Sequence, residues 1–272
     1  MHVYTPVKTN AKQPVVIYIN EGYRYQSKKP CNLLSEKGFV TVDCSYPKLN
    51  YEKECESLLF FIVSILSVLT MLSQNIFQIS FAFVLFLIFS MILILVHTEN
   101  PPKAYDYSKS IRNVKDLAKK MKWVVDNISE YNGDKDKIYL VGCEGVLATL
   151  ISTNNYFLNS NGLSLDSIKG VISLNGIYSD KRLDMISSKK HYSEFPIYNI
   201  TTNTPPTLLI VNRDISAKKH CLDYHYALKQ SGIYVETAVF NSNYKLCDKW
   251  HSGKENENVL SKILDFLTVI NE

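Results

Sequence analysis

Ile138-Tyr139-Leu140-Val141-Gly142-Cys143-Glu144-Gly145-Val146 is an apolar, partly β-branched run that breaks at a Gly-x-x-Gly turn and continues into residues suited to a helix. A strand, a tight turn and a helix in immediate succession have the form of a nucleophile elbow, whose turn lifts its central side chain, here Glu144, above a sheet. Around it, the sequence predicts a strand over 136–141 and a helix over 145–151. Upstream, 108–130 carries apolar residues at Ile111, Val114, Leu117, Ala118, Met121, Val124, Val125 and Ile128, a helical stripe with Ser108 or Ser110 as its cap. Still further upstream, 13–19 and 38–43 read as strands, the first bounded by Asn20-Glu21-Gly22. Downstream the pattern repeats, with strands over 170–174, 207–211 and 234–240 and helices over 220–230 and 258–270. Continuous apolar strands alternating with helices imply an α/β protein with a mostly parallel sheet covered on both faces.

The chain has 272 residues, 46% hydrophobic and 21% charged, with a net charge of +4. These values suit a packed core and exclude a disordered chain, a collagen or a disulfide miniprotein. Lys and Glu are interspersed, without a basic stripe interleaved with aromatics, so no nucleic-acid partner is expected. Cys31, Cys44, Cys55, Cys143, Cys221 and Cys247 form no CxxC pair and face no His at zinc-finger spacing. They read as free buried thiols in a reducing compartment, and neither a metal nor another cofactor is expected.

Residues 57–96 contain no charged side chain. A bilayer crossing takes about 17 to 25 apolar helical residues. A turn over Gln74-Asn75-Ile76-Phe77-Gln78 would divide the block into two short crossings. Lys48, Lys53, Lys103, Lys109 and Arg112 flank the block and none lies in the turn. That places both flanks on the cytosolic side of a membrane, with an endomembrane such as the ER expected. Two other readings compete: a buried core hairpin, which would show a polar face that these arms lack, and a translated pyrimidine-rich intron. Met1-His2-Val3-Tyr4 has neither a basic n-region nor a cleavable apolar stretch, so no signal peptide is expected at this start.

Several stretches resemble, in order, the α/β-hydrolase superfamily, in the carboxylesterase branch that holds isoprenylcysteine methylesterases and kynurenine formamidases. They are Val3-Tyr4-Thr5-Pro6, Pro14-Val15-Val16-Ile17-Tyr18-Ile19, Gly38-Phe39-Val40-Thr41-Val42-Asp43 and, most specific, Trp123-Val124-Val125-Asp126-Asn127-Ile128-Ser129-Glu130-Tyr131-Asn132-Gly133-Asp134. Gly170-Val171-Ile172-Ser173-Leu174-Asn175-Gly176-Ile177-Tyr178 and Pro205-Pro206-Thr207-Leu208-Leu209-Ile210 continue the series. The resemblance implies a single α/β-hydrolase domain over 1–272, lacking the family's first strand, with 57–96 as an inserted transmembrane hairpin.

The resemblance also shows what the chain has lost. In G-x-S-x-G the serine falls at Glu144 and the last glycine at Val146. The H-G-G oxyanion motif becomes Asn20-Glu21-Gly22. Gly145 can still offer a backbone N–H, yet Glu21 and Glu144 would bring negative charge to a place where acyl transfer develops negative charge. Counted without a gap, the family's acid falls on Ile215, with Asp214 fitting a loop one residue shorter, and its histidine falls near Lys245, with His251 fitting a lengthened loop. The elbow exposes only its central residue, so Cys143 reads as a buried filler. The expected protein is therefore a membrane-tethered, degenerate hydrolase whose site residues are Glu144, Asp214 and His251 with Asn20, Glu21, Gly22 and Gly145. Its expected partners are membrane lipid and a small-molecule or prenylated-protein ligand. The alternative is an active hydrolase of membrane-associated esters such as prenylcysteine methyl esters, with Glu144 or another group as nucleophile.

Overall fold

A computed structural model describes residues 1–7, 11–22, 28–47, 107–143, 146–176, 178–179, 195–212, 215–240 and 256–271. The chain opens with β1 (His2–Tyr4), β2 (Gln13–Gly22), α1 (Lys28–Glu36), β3 (Val40–Asp43) and the short β4 (Tyr46–Pro47). It resumes with α2 (Tyr107–Asn127), a 3-10 turn (Ile128–Tyr131), β5 (Gly133–Cys143), α3 (Val146–Thr153) and α4 (Asn155–Asn159). Then follow β6 (Gly170–Leu174), β7 (Thr207–Asn212), α5 (Ile215–Gln230), β8 (Val235–Phe240) and α6 (Asn256–Val269).

The sheet order is β1-β3-β2-β5-β6-β7-β8, with β4 pairing β2 off this path. β1 is antiparallel to β3; the other neighbours pair in parallel. Buried on both sides, the parallel strands need apolar residues at successive positions, which is why 15–19 and 138–141 are continuous runs rather than alternations. Alternate side chains then separate into two cores. Val15, Ile17, Ile19, Ile138, Leu140 and Val171 pack with the apolar stripe of α2 and with α3. Val16, Tyr18, Tyr139, Val141, Ile172 and Leu208 pack on the other face with Cys31 and Leu34 of α1 and Val259, Ile263 and Phe266 of α6. A third cluster holds Leu209 and Val211 of β7 against Cys221, Tyr224 and Leu228 of α5.

The α/β expectation holds, with changes at the ends of the elements. β2 runs on through Asn20, Glu21 and Gly22, which the sequence reading set as the strand's boundary. Cys143 of β5 and Tyr46 and Pro47 of β4 supply ladder partners there that no local signal announces. α5 begins five residues before the predicted start at His220. Ser108 lies within the first turn of α2 and is not its cap. α1, which the sequence reading did not identify, is anchored by Pro30, Cys31, Leu34 and Ser35, with Leu33 packed against the same core.

Met1–Lys48 and Tyr107–Glu272 make one compact unit. The apolar block over 57–96 lies outside the described residues, and so does the hairpin expected there. Among the described residues, no helix is long and apolar enough to cross a membrane.

Candidate active site at the carboxyl ends of the strands

The strand order reverses direction at β2. From it the chain steps to β3 on one side, and β5, β6, β7 and β8 then follow on the other. In such a sheet the ligand crevice lies outside the carboxyl ends of the strands at the point of reversal, here between β2 and β5. Asn20 and Cys143 are register partners at that point, and their side chains are 3% and 1% exposed. Glu21 and Gly22 extend β2 beyond them, opposite Tyr46 and Pro47.

Of the other residues expected at the site, Glu144, Gly145, Asp214 and His251 lie outside the described residues. Their places in the chain follow from the elements around them. Glu144 and Gly145 are the whole connection between the end of β5 at Cys143 and the start of α3 at Val146. Asp214 falls between the end of β7 at Asn212 and the start of α5 at Ile215. His251 falls between β8, ending at Phe240, and α6, starting at Asn256. All four therefore belong to connections that follow the carboxyl ends of parallel strands. The helix that follows the elbow starts on Val146, 2% exposed, where the family pattern has glycine.

No protein-family model matches the chain, and no curated protein does. Solved structures do. A Thermogutta terrifontis esterase, determined with butyrate bound, is 12% identical, with 99% of this chain and 88% of that one covered and a TM-score of 0.61. A sugar hydrolase from Lactococcus lactis is 14% identical over 97% of this chain and 94% of its own, with a TM-score of 0.55. An acetyl ester-xyloside bifunctional hydrolase from Caldicellulosiruptor lactoaceticus is also 14% identical, with 97% and 88% covered and a TM-score of 0.55. This is an α/β-hydrolase fold.

Within the hydrolase fold, the described residues near the strand ends are mostly neutral and hydrogen-bonded. Asn175, just past β6, has φ 51°. Its N–H donates to the Ile210 carbonyl at 2.9 Å, and its Oδ1 accepts the N–H of Asn212 at 3.0 Å. The end of β7, two residues before Asp214, is thereby tied to the end of β6. Asn212 Oδ1 is itself buried, with no hydrogen-bond partner among the described residues. At β3, Asp43 is 6% exposed and accepts the Ser45 N–H at 3.0 Å and the Ser45 hydroxyl at 2.5 Å. Burial pushes the nearby Tyr18 hydroxyl and Cys31 thiol upward, and the charge of Asp43 adds to both shifts.

One correction to the cysteine reading follows. Cys143 is disulfide-bonded, not a free filler thiol, although its burial is as expected. A pairing between cysteines far apart in the chain is set by proximity in the fold and leaves no local mark. Cys31, Cys44 and Cys221 are free and buried, and burial raises all three thiols, Cys44 and Cys221 to about 12 each. Among the described residues, no group of His, Cys, Asp and Glu is placed to hold a metal ion.

The sequence reading missed Asn175, Asn212, Ser179 and His220. Asn175-Gly176 at the end of an apolar strand is a turn signal that marks the first. Ser179 Oγ lies 3.1 Å from His220 Nδ1; these two residues are 41 positions apart, and neither stands in a recognisable motif.

Proposed function

We propose that the chain is a membrane-tethered hydrolase-fold protein that has lost serine-esterase chemistry at its elbow and keeps the crevice between β2 and β5 for binding a small carboxylic-ester or prenylated ligand. The observation that carries this reading is the elbow itself. The strand ends at Cys143 and the helix starts at Val146, so the connection is Glu144-Gly145 and supplies no hydroxyl. A carboxylate at 144, with Glu21 at the mouth of β2, opposes the negative charge an acyl-transfer intermediate develops. The loss of two glycines, at Glu21 and at Val146, removes the close backbone approaches that an oxyanion site uses. Tethering rests on the charge-free stretch 57–96 with its basic flanks, and the cytosolic, endomembrane placement on the same flanks.

The test is kinetic and uses the full chain in detergent. Wild type and Glu144→Gln should show the same background rate on a p-nitrophenyl ester, and Glu144→Ser should gain no elbow-dependent rate, because the surrounding oxyanion geometry is also changed. Turnover that Glu144→Gln abolishes would overturn the reading and make Glu144 a nucleophile. Carbonate extraction that releases the chain from membranes would overturn the tether.

A further inference from the structure

We infer that Ser179 and His220 form a nucleophile–base pair, away from the elbow, which takes an activated acyl or phosphonyl group. The inference goes beyond the function proposed above, which concerns position 144, and stands on separate residues.

Ser179 Oγ is 3.1 Å from His220 Nδ1, within the reach that a hydroxyl nucleophile and its base require. Both residues leave the carboxyl-terminal side of the sheet: Ser179 five residues beyond the end of β6, His220 in the second turn of α5, which follows the neighbouring strand β7. Both are partly exposed, so a small electrophile can reach them.

The pair is also held in place. Tyr178, 1% exposed, stacks on Tyr224 of α5 with ring centroids 4.5 Å apart and planes 11° from parallel. Its hydroxyl bonds Ser173 of β6 at 2.8 Å. Its ring lies over Gly176, where an added Cβ would sit 2.4 Å from the ring carbons. Ser179 is thus fixed by its neighbour to β6 below and to the helix that carries His220. Such fixing is what separates a positioned hydroxyl from an ordinary surface serine.

The step balances with the neutral histidine that bears its proton on Nε2. The Ser179 hydroxyl proton passes to His220 Nδ1 as Oγ bonds to the carbonyl carbon or phosphorus. The bond from that atom to the leaving group breaks and the leaving group departs with the electron pair; an alkoxide takes the proton from the imidazolium as it leaves, whereas after fluoride leaves the proton passes to solvent. Water can later release an acyl group by giving its proton to the neutral His220 Nδ1, which returns it to Ser179 Oγ.

The experiment treats the full chain with a fluorophosphonate probe and maps the adduct by peptide mass spectrometry. The expected result is one adduct, on Ser179. Ser179→Ala should abolish it, His220→Gln should slow its formation at least tenfold with an unchanged thermal midpoint, and Glu144→Gln should leave it unaltered. Absence of an adduct, or an adduct on another serine, overturns the inference and leaves the elbow reading standing. Should His220→Gln lower the thermal midpoint, His220→Asn is measured in its place; full-rate labelling in a folded variant lacking the imidazole overturns the inference. An adduct on Ser179 that Glu144→Gln removes would overturn the independence of the two places.

Discussion

Asn175 Oδ1 accepts the backbone N–H of Asn212 at 3.0 Å, and Asn175 does so from a left-handed backbone, φ 51°. One residue thereby ends β6, turns the chain and caps the neighbouring strand immediately before the connection that carries Asp214. Asparagine suits the place because it tolerates this backbone region better than other non-glycine residues and brings an acceptor on a short side chain.

The two roles separate by mutation. Asn175→Gly keeps the backbone freedom and loses the acceptor, with an expected cost of about 1 kcal/mol. Asn175→Ala loses both and should cost about 1 to 2 kcal/mol more. Chemical denaturation of the three proteins checks this; equal stability of the Gly and Ala variants would show that the backbone strain is absent.

Thiol reactivity tests all three clusters, with Cys44 in the first, Cys31 in the second and Cys221 in the third. Burial raises the Cys31, Cys44 and Cys221 thiols, the last two to about 12, so the thiolate that attacks an alkylating agent is scarce. In the native protein at pH 8, iodoacetamide should leave all three unmodified, and denaturant should make all three react. Cys143 should react only after reduction. Mass spectrometry of native, denatured and reduced samples reads all four positions, and alkylation of Cys143 without reductant would refute its disulfide.

His225 predicts an acid-sensitive packing of α5 on β8. Its Nδ1 lies 2.9 Å from Thr237 Oγ1. Desolvation, with Lys229 one turn away, lowers its pKa below the ordinary imidazole value. The unfolded chain therefore binds this proton at higher pH than the folded one. The contribution is intact above the ordinary value, about 6.5, and is lost as pH falls from there toward the folded value. The denaturation midpoint should fall between pH of about 7.5 and about 5.5, and His225→Gln, which keeps a polar partner for Thr237, should fall less. A variant with the same pH slope as wild type would remove His225 as the cause.

The stretch Tyr131-Asn132-Gly133-Asp134 shows why part of this fold was legible. Asn132 takes φ 62° at the end of the 3-10 turn. A Cβ on Gly133 would lie 2.6 Å from Ile128 Cγ1 and 3.0 Å from Val15 Cγ2. The sequence carries this constraint because a left-handed residue followed by a close backbone approach admits few residue types. Helix α2 was readable for a similar reason, its stripe from Ile111 to Val125 facing one core. By contrast, α1 and the last residues of β2 depend on partners from elsewhere in the chain.

The sequence by itself determined the alternation of strands and helices, the two-sided burial of the sheet, and the glutamate at the elbow, since each is written in adjacent or periodically spaced residues. Tertiary structure alone decided that Cys143 is half of a disulfide, that Asn175 caps β7 and that Ser179 meets His220. The last two are meetings between residues 37 and 41 positions apart, and they come from the pairing of β6 with β7 and the packing of α5, which no local pattern encodes.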